Sequence, residues 1–421
     1  MSNYCKLLWS SVTVNFPNQS VRSCCLSSPI QLESGDNEKL GTSIFQNHPR
    51  LVNSRNQLVL ENIAPPDCSK CYEVEKNLGH SMRLDNLTNN VEENKTLFEI
   101  ENPGVSKLTK RVDIEISRTC NAKCIYCNRF YSTLWEIEDI KAGIISKGDY
   151  QERFSDEFET NFWHWIESTK ENLDCINFLG GEPLVEKRYF EALKKLSLFE
   201  SSETRTIKPR LDTVSNLNVH ESKIHQFLEL LPELTPKYRI NIDSSMEATK
   251  ERAEYIRFGV SYEKWLKNMD LLLKSNSADF EVASQMSINA LCITDLQKKY
   301  NVFIPLRHNI VSWPNELSPY ILPHEYARYI FDAAEFLRKN DDGRNSEFEP
   351  YTFNTWSNYA KFLENIGQAI LKNKLPHPEL GNMYKWLSEN DRKRGSKFSK
   401  VFPEYAATFK LAKEVYHSSH A

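Results

Sequence analysis

Three closely spaced cysteines carry the clearest chemistry in this chain. Cys120, Cys124 and Cys127 follow one another at Cys-x3-Cys-x2-Cys spacing. Thiolates at this spacing can hold three irons of a four-iron cluster, and the fourth iron stays open because no fourth cysteine lies nearby. An open iron can bind and reduce another molecule, whereas a fully ligated cluster only passes electrons. Three thiolates also make a poor structural zinc site, which takes four ligands.

The elements that must position these cysteines alternate between strand and helix. Strands are predicted near 112–116, 174–179, 210–214, 238–242, 280–290 and 302–306, and helical patterns lie between most of them. Such alternation predicts parallel strands joined by right-handed crossovers. Six strands over about 200 residues predict an α/β fold built on a partial (β/α)6 TIM-type barrel.

Polar segments follow the first four predicted strands, and in a parallel barrel such segments gather at one mouth. After the cysteines these segments are Gly180-Gly181-Glu182-Pro183, Ser215-Asn216 and Asp243-Ser244. We expect the glycines to let the backbone approach a ligand closely and Glu182 to accept hydrogen bonds from a cationic amine. Ser215, Asn216, Asp243 and Ser244 offer partners for ribose hydroxyls or a carboxylate. Tyr126 offers a flat apolar surface for an aromatic base.

The cysteine spacing, the aromatic Tyr126 before the last cysteine and the Gly-Gly-Glu-Pro segment resemble the radical S-adenosylmethionine (AdoMet) superfamily. This resemblance implies that the open iron chelates AdoMet, whose reductive cleavage gives a 5′-deoxyadenosyl radical that abstracts a substrate hydrogen. It implies that Gly180–Pro183 binds the methionine amine and that Tyr126 lies by the adenine. It also implies an electron donor of the flavodoxin or ferredoxin type. Asp243-Ser244-Ser245 and Glu251–Gly259 are similar to segments of twitch-containing members.

A second group of cysteines lies near the N-terminus. Val12, Val14 and Phe16 alternate with polar residues and predict a small β-hairpin, which Cys5 precedes and Cys24-Cys25 ends. The set resembles the ligands of a twitch or SPASM auxiliary cluster, placed before the barrel. By that resemblance the ligands of a second [4Fe-4S] cluster are Cys5, Cys24, Cys68 and Cys71, with Cys25 as a rival to Cys24. Four thiolates also suit zinc, and the spacing leaves both metals open.

These patterns divide the chain into three predicted regions. Residues 1–100 form the N-terminal auxiliary region and residues 101–312 form the barrel, and a polar linker over 85–105 spans this boundary. Residues 313–421 form a helical C-terminal region, with helices near 323–338, 355–372, 379–390 and 403–417.

Composition excludes several classes of protein. The 421 residues carry a net charge of −4 without a basic stripe, which argues against nucleic acid or an anionic membrane surface as a partner. No stretch approaches the roughly 18 apolar residues of a membrane span. Because clustered cysteines in a reducing compartment more often bind metal than form disulfides, we expect a cytoplasmic metalloprotein.

The sequence therefore predicts a radical AdoMet enzyme that abstracts hydrogen from a peptide or a small molecule. A second cluster that accepts an electron would suit a net oxidation or a cross-linking reaction. Arg307 and His308, at the end of the sixth predicted strand, are candidates for substrate contact. The alternative is a non-catalytic, cysteine-rich metal-binding scaffold or interaction protein.

Overall fold

The computed structural model describes residues 5–33, 36, 41–78, 81–85, 104–107, 109–200, 205–302, 307–311, 313–341, 356–374 and 377–419. In these residues the strands are β1 (Ser11–Asn15), β2 (Ser20–Arg22), β3 (Ile30–Gln31), β4 (Arg111–Glu115), β5 (Lys123–Cys124), β6 (Cys175–Leu179), β7 (Arg210–Ser215), β8 (Arg239–Ser245), β9 (Arg257–Phe258), β10 (Phe280–Ile288) and β11 (Arg307–Ile310).

The α-helices of the same residues fall into three groups. Near the N-terminus they are α1 (Leu7–Ser10), α2 (Ile44–Asn47), α3 (Pro49–Leu60), α4 (Ser69–Leu78) and α5 (Met82–Asp85). Along the barrel they are α6 (Thr133–Lys141), α7 (Asp156–Thr169), α8 (Lys187–Leu198), α9 (Glu221–Leu228), α10 (Leu231–Leu234), α11 (Lys250–Ile256), α12 (Tyr262–Leu273) and α13 (Leu296–Val302). Towards the C-terminus they are α14 (Ala327–Lys339), α15 (Trp356–Lys372), α16 (Glu379–Arg394), α17 (Phe398–Val401) and α18 (Ala406–Ser419).

The centre of the molecule is a nine-stranded sheet in the order β11-β10-β8-β7-β6-β4-β1-β2-β3. Neighbouring strands from β11 to β1 all pair in parallel, and helices connect most of them. Apolar side chains such as Val112, Ile114 and Phe178 are fully buried in one large core. This arrangement confirms the predicted α/β fold of the partial-barrel type.

The predicted N-terminal hairpin exists, but it is part of the barrel sheet. β1 and β2 pair antiparallel, with Val14 opposite Val21. β1 also pairs in parallel with β4, where Val12 lies beside Val112. The hairpin and β3 therefore extend the barrel sheet by three strands instead of forming a separate β unit. The domain boundaries near residues 100 and 312 stay a prediction, and most of the 85–105 linker lies outside the described residues.

The sixth predicted strand, 302–306, lies mostly outside the described residues. Val302 ends α13, residues 303–306 lie outside the described part, and the strand is β11, Arg307–Ile310. Leu296 and Tyr300 of α13 are buried four residues apart, which is helical spacing. Arg307 and His308, which were predicted to end the sixth strand, are the first two residues of β11.

The C-terminal region is helical, as predicted, and packs as two helix pairs. α14 packs against α15, and α16 packs against α18. No helix among the described residues combines the length and apolar character that crossing a bilayer requires.

Candidate functional site

The segment 117–128, which we call the cysteine loop, leaves the carboxyl end of β4 and packs directly against Gly180–Pro183. The backbone N–H of Glu182 donates to the carbonyl of Thr119 at 2.7 Å. A Cβ at Gly181 would lie 2.1 Å from the same carbonyl oxygen. Gly180 has φ +86°, and a Cβ there would lie 2.4 Å from the Ser117 carbonyl oxygen. The glycines thus let two stretches of protein backbone meet, whereas the sequence predicted close approach to a ligand.

The buried carboxylate of Glu182 connects the Gly180–Pro183 segment to the end of β7. It accepts hydrogen bonds from the Ser215 hydroxyl and from the backbone N–H of Asn216, both at 2.6 Å. The backbone N–H of Leu184 donates to it at 3.1 Å. Burial raises the pKa of Glu182 to about 6, even though these three donors favour the charged form. These three donors already contact the two oxygens, and the contact of Glu182 with a cationic amine stays a prediction.

A chain of asparagines connects the cysteine loop to the end of β7. Asn216 donates from Nδ2 to Oδ1 of Asn121 at 2.8 Å, and Asn121 donates to the Asn218 carbonyl at 2.7 Å. Asn218 in turn donates to the carbonyl of Gly259 at 2.8 Å. Asn216 was predicted as a site residue, whereas Asn121 and Asn218 were missed. Both lie next to a predicted site motif, Asn121 in the cysteine loop and Asn218 after Ser215-Asn216. This position was a signal, because asparagine favours the turns in which such motifs lie.

A buried arginine meets the cysteine loop from β9. Arg257 lies beside Cys124 in the short β5–β9 ladder, and its Nη1 is 3.5 Å from the sulfur of Cys124. Its Nε donates to Glu247 at 2.7 Å, and the hydroxyl of Tyr126 donates to the same carboxylate at 2.9 Å. The guanidinium lies 5.6 Å from the centre of the Tyr126 ring. Glu247, which the sequence did not single out, therefore orients both Tyr126 and Arg257.

The three thiols of the cysteine loop fit an iron–sulfur cluster in their chemistry. Burial, together with the smaller effects of the neighbouring Cys124 and Glu182, raises the pKa of Cys120 to about 12. Metal binding must therefore displace protons, as is usual for thiolate ligands. Among the described residues, no group of three or more cysteine, histidine, aspartate or glutamate side chains is arranged to hold a single metal ion.

The structure separates the two predicted residues at the end of β8. Ser244 is completely buried and accepts a hydrogen bond at 2.6 Å from Nε1 of Trp265 in α12, so it lies on the helix side of the sheet. Asp243 lies on the opposite side and forms an ion pair with Arg307. Successive side chains of a strand point to opposite faces, so both cannot face the barrel interior. Ser244 is thus not brought to the mouth.

The N-terminal cysteines converge on one cavity. Its lining includes Cys5, Cys24, Cys68 and Cys71. Burial, together with the smaller effects of the nearby thiols of Cys24 and Cys71, raises the pKa of Cys5 to about 12. Cys25 does not line the cavity; it is exposed, and its sulfur is 4.0 Å from that of Met82. The geometry therefore favours Cys24 over Cys25 as a member of the group.

The two thiol groups lie at opposite ends of the sheet. The cysteine loop follows the carboxyl end of β4. Cys5 precedes β1, which runs parallel to β4, and Cys24 follows the antiparallel β2. The N-terminal cavity is therefore at the amino end of β1 and β4, across the barrel from the cysteine loop.

Fold and site together define a class of protein: a partial parallel barrel with three thiols in the loop after a barrel strand. Residues 114–288 match the family model of the Radical SAM superfamily. The chain thus contains a radical SAM domain, which implies an enzyme that uses a [4Fe-4S] cluster and AdoMet. The match runs from β4 to β10 and leaves β1 and β11 outside. No curated protein matches the chain.

Proposed function

We propose that this protein is a radical AdoMet enzyme with a second iron–sulfur cluster, and that it oxidises its substrate inside the barrel. The observation that carries the proposal is the convergence of Cys5, Cys24, Cys68 and Cys71 on one cavity across the barrel from the cysteine loop. Assignment to the twitch or SPASM subgroup rests on the sequence resemblance and belongs to the same proposal.

Cys120, Cys124 and Cys127 would hold the first cluster. When bound, this cluster and AdoMet supply a carbon radical able to abstract hydrogen. The chain's own residues bind and orient. Gly180–Pro183 would present its backbone to the methionine amine, because its carboxylate is occupied. Tyr126, fixed by Glu247, would flank the adenine.

The other four residues that were predicted to bind the cofactor would have different roles. Ser215 and Asn216 would position the edge of the nucleotide site through their hydrogen bonds to the Glu182 carboxylate. Asp243 lies further inside the barrel, beside Arg307, and is better placed for substrate than for ribose. Ser244 faces the helices.

The second thiol group explains why we favour a net oxidation. Removal of a hydrogen atom takes one electron from the substrate, and a two-electron oxidation needs an acceptor for the second electron. Cys5, Cys24, Cys68 and Cys71 would hold that acceptor at the far end of the same barrel. A flavodoxin or ferredoxin would supply the electron that starts the cycle, and a peptide or small molecule would be the substrate.

Replacement of one cysteine-loop thiol tests the first cluster. We expect Cys124→Ala to reduce 5′-deoxyadenosine formation from AdoMet and dithionite to the background rate, because three thiolates are needed to hold the cluster. The product is measured by chromatography after anaerobic reconstitution. Cys25→Ala, which removes an exposed thiol outside both groups, is the matched control and should retain the activity. Undiminished product from Cys124→Ala would exclude the assignment.

A double replacement tests the second cluster. Cys68→Ala combined with Cys71→Ala should lower the iron content from about eight to about four per chain and leave AdoMet cleavage partly intact. Iron and zinc are measured on the same anaerobic sample, again with Cys25→Ala as control. Unchanged iron would remove the second cluster from the proposal. Bound zinc lost in the double variant would support the zinc site. Zinc without AdoMet cleavage would favour the non-catalytic scaffold.

A further inference from the structure

One row of polar residues crosses five neighbouring strands of the barrel. In the hydrogen-bond register Thr13 pairs with Asp113, Asp113 with Asn177, Asn177 with Asp212, and Asp212 with Asn241. We call these residues the polar row: Thr13, Asp113, Asn177, Asp212 and Asn241.

The polar row lies on the concave, inner face of the sheet. Arg307 of β11 comes within 4.0 Å of Asp212 of β7, although β10 and β8 stand between these strands. On the other side, Arg22 of β2 forms an ion pair with Glu115 of β4 across β1. Side chains can meet across intervening strands where a sheet curves towards them. The polar row therefore lines the barrel interior.

The interior of a parallel barrel is usually filled by branched apolar side chains, because buried charges are costly. Here the two acids of the row are buried and paired instead. Asp113 accepts from Arg111 at 2.8 Å, and Nε of Arg210 lies 3.3 Å from Asp212. Burial alone would raise the pKa of Asp212, but Arg210 and Arg307 bring it below its usual value.

The other three members of the row offer acceptor atoms without partners. Among the described residues, Oγ1 of Thr13 and Oδ1 of Asn177 and of Asn241 are buried and make no hydrogen bond. These residues are only 1%, 5% and 0% exposed. Both asparagine amides already donate, to Asp113 at 2.8 Å and to Asp243 at 3.0 Å. The arrangement therefore leaves the carbonyl oxygens as the free atoms.

We propose that the polar row binds the substrate, and that the substrate is a small molecule carrying several hydroxyl or amino groups. This inference rests on the proposed function, because it places the substrate of that reaction. Carbonyl oxygens can only accept, and a threonine hydroxyl can accept as well, so the partner must donate. Since Asp113 and Asp212 are neutralised by arginines, the donor does not need a positive charge.

Thr13 gives the sharpest test, because valine has nearly the same shape without the hydroxyl. In the anaerobic holoenzyme with AdoMet, we expect myo-inositol and D-glucosamine to bind in equilibrium dialysis, and cyclohexanecarboxylate not to bind. Thr13→Val and Asn241→Leu should each weaken binding by roughly tenfold, the effect of about one hydrogen bond. Thr13→Val should leave the melting temperature unchanged or raise it, since a buried unpaired hydroxyl is removed.

Thr213→Val is the matched control on the helix side of β7. The Thr213 hydroxyl is paired with that of Tyr189 at 2.8 Å, so its loss should lower the melting temperature and leave probe binding unchanged. If neither probe binds, or if Thr13→Val lowers the melting temperature as Thr213→Val does while binding is unchanged, the inference is wrong. 5′-Deoxyadenosine formation in the unmodified enzyme separates the outcomes: if it persists without probe binding, only this inference fails.

Discussion

Glu182 has a structural role in its motif that the sequence did not predict. Its carboxylate connects the Gly180–Pro183 segment to Ser215 and Asn216, and so joins the ends of β6 and β7 behind the cysteine loop. The nearby Gly181 brings the same segment against Thr119. The spacing of these residues therefore serves first to place two loops side by side.

The raised pKa of Glu182 predicts a pH dependence of stability. Burial raises this pKa from 4.5 to about 6, so between these values the folded protein holds a proton that the unfolded chain releases. The free energy of unfolding should consequently fall by on the order of 1–2 kcal/mol as pH rises through this window, and level off above it. Glu182→Gln should abolish this slope in urea titrations from pH 4.5 to 7. It should also be less stable throughout, since an amide nitrogen replaces an acceptor.

An exposed glutamate provides the comparison. Lys187 holds the pKa of Glu191 below its ordinary value, so any contribution of Glu191 to the slope has the opposite sign to that of Glu182. Glu191→Gln should therefore keep the fall in the free energy of unfolding as pH rises. A slope that survives in Glu182→Gln would show that another group titrates in this window.

At the scale of elements, α16 holds the cysteine loop from outside the barrel. Trp386 donates from Nε1 to the carbonyl of Ile125 at 3.0 Å and stacks on Trp135 of α6 at 5.9 Å. Arg394, at the other end of α16, pairs with the buried Glu138 at 3.1 Å. A C-terminal helix thus fixes a loop that lies about 260 residues earlier in the chain.

Loss of this contact should loosen the loop. Trp386→Phe keeps the aromatic packing but removes the hydrogen bond to Ile125, which contributes about 1 kcal/mol. We expect iron to pass several-fold faster from the reconstituted protein to a ferrous chelator, measured by absorbance. Trp163→Phe removes an equivalent indole hydrogen bond, to Glu159 at 3.1 Å in α7, and is the control. Equal release rates for the two variants would mean that α16 does not support the loop.

At the scale of the whole molecule, the N-terminal hairpin completes the barrel sheet and brings a thiol group to its amino end. β1 covers the edge of β4, which would otherwise expose a row of unpaired backbone groups. The same hairpin carries Cys24 and contributes Thr13 to the interior. The N-terminal hairpin therefore couples the stability of the sheet to the assembly of the N-terminal thiol group.

Removal of residues 1–33 should consequently cause aggregation, because β4 becomes an exposed edge. Light scattering and size-exclusion chromatography would measure this. Cys5→Ser combined with Cys24→Ser keeps β1 and removes two thiols, so this variant should stay soluble while losing metal. A monomeric truncated protein with an unchanged circular dichroism spectrum would show that β4 does not need the hairpin.

Much of the barrel was predictable because its signals are local. The alternation of Val112 and Ile114 with polar residues marked β4, and the cysteine loop and Gly180–Pro183 were placed correctly at strand ends. The polar character of the barrel interior was not predicted, although the sequence contained a signal for it. Parallel strands buried on both faces are usually apolar throughout, so Asp113 and Asp212 already indicated a polar interior.

Residue types, spacing and periodicity specified the chemistry of the thiols and the order of strands and helices, because these depend on neighbours in the chain. The folded molecule alone decided that β1 pairs with β4, that Cys24 rather than Cys25 joins the N-terminal group, and that Ser244 turns away from the mouth. Such choices bring together segments up to a hundred residues apart. They follow from the summed packing of many weak contacts, which no short stretch of sequence contains.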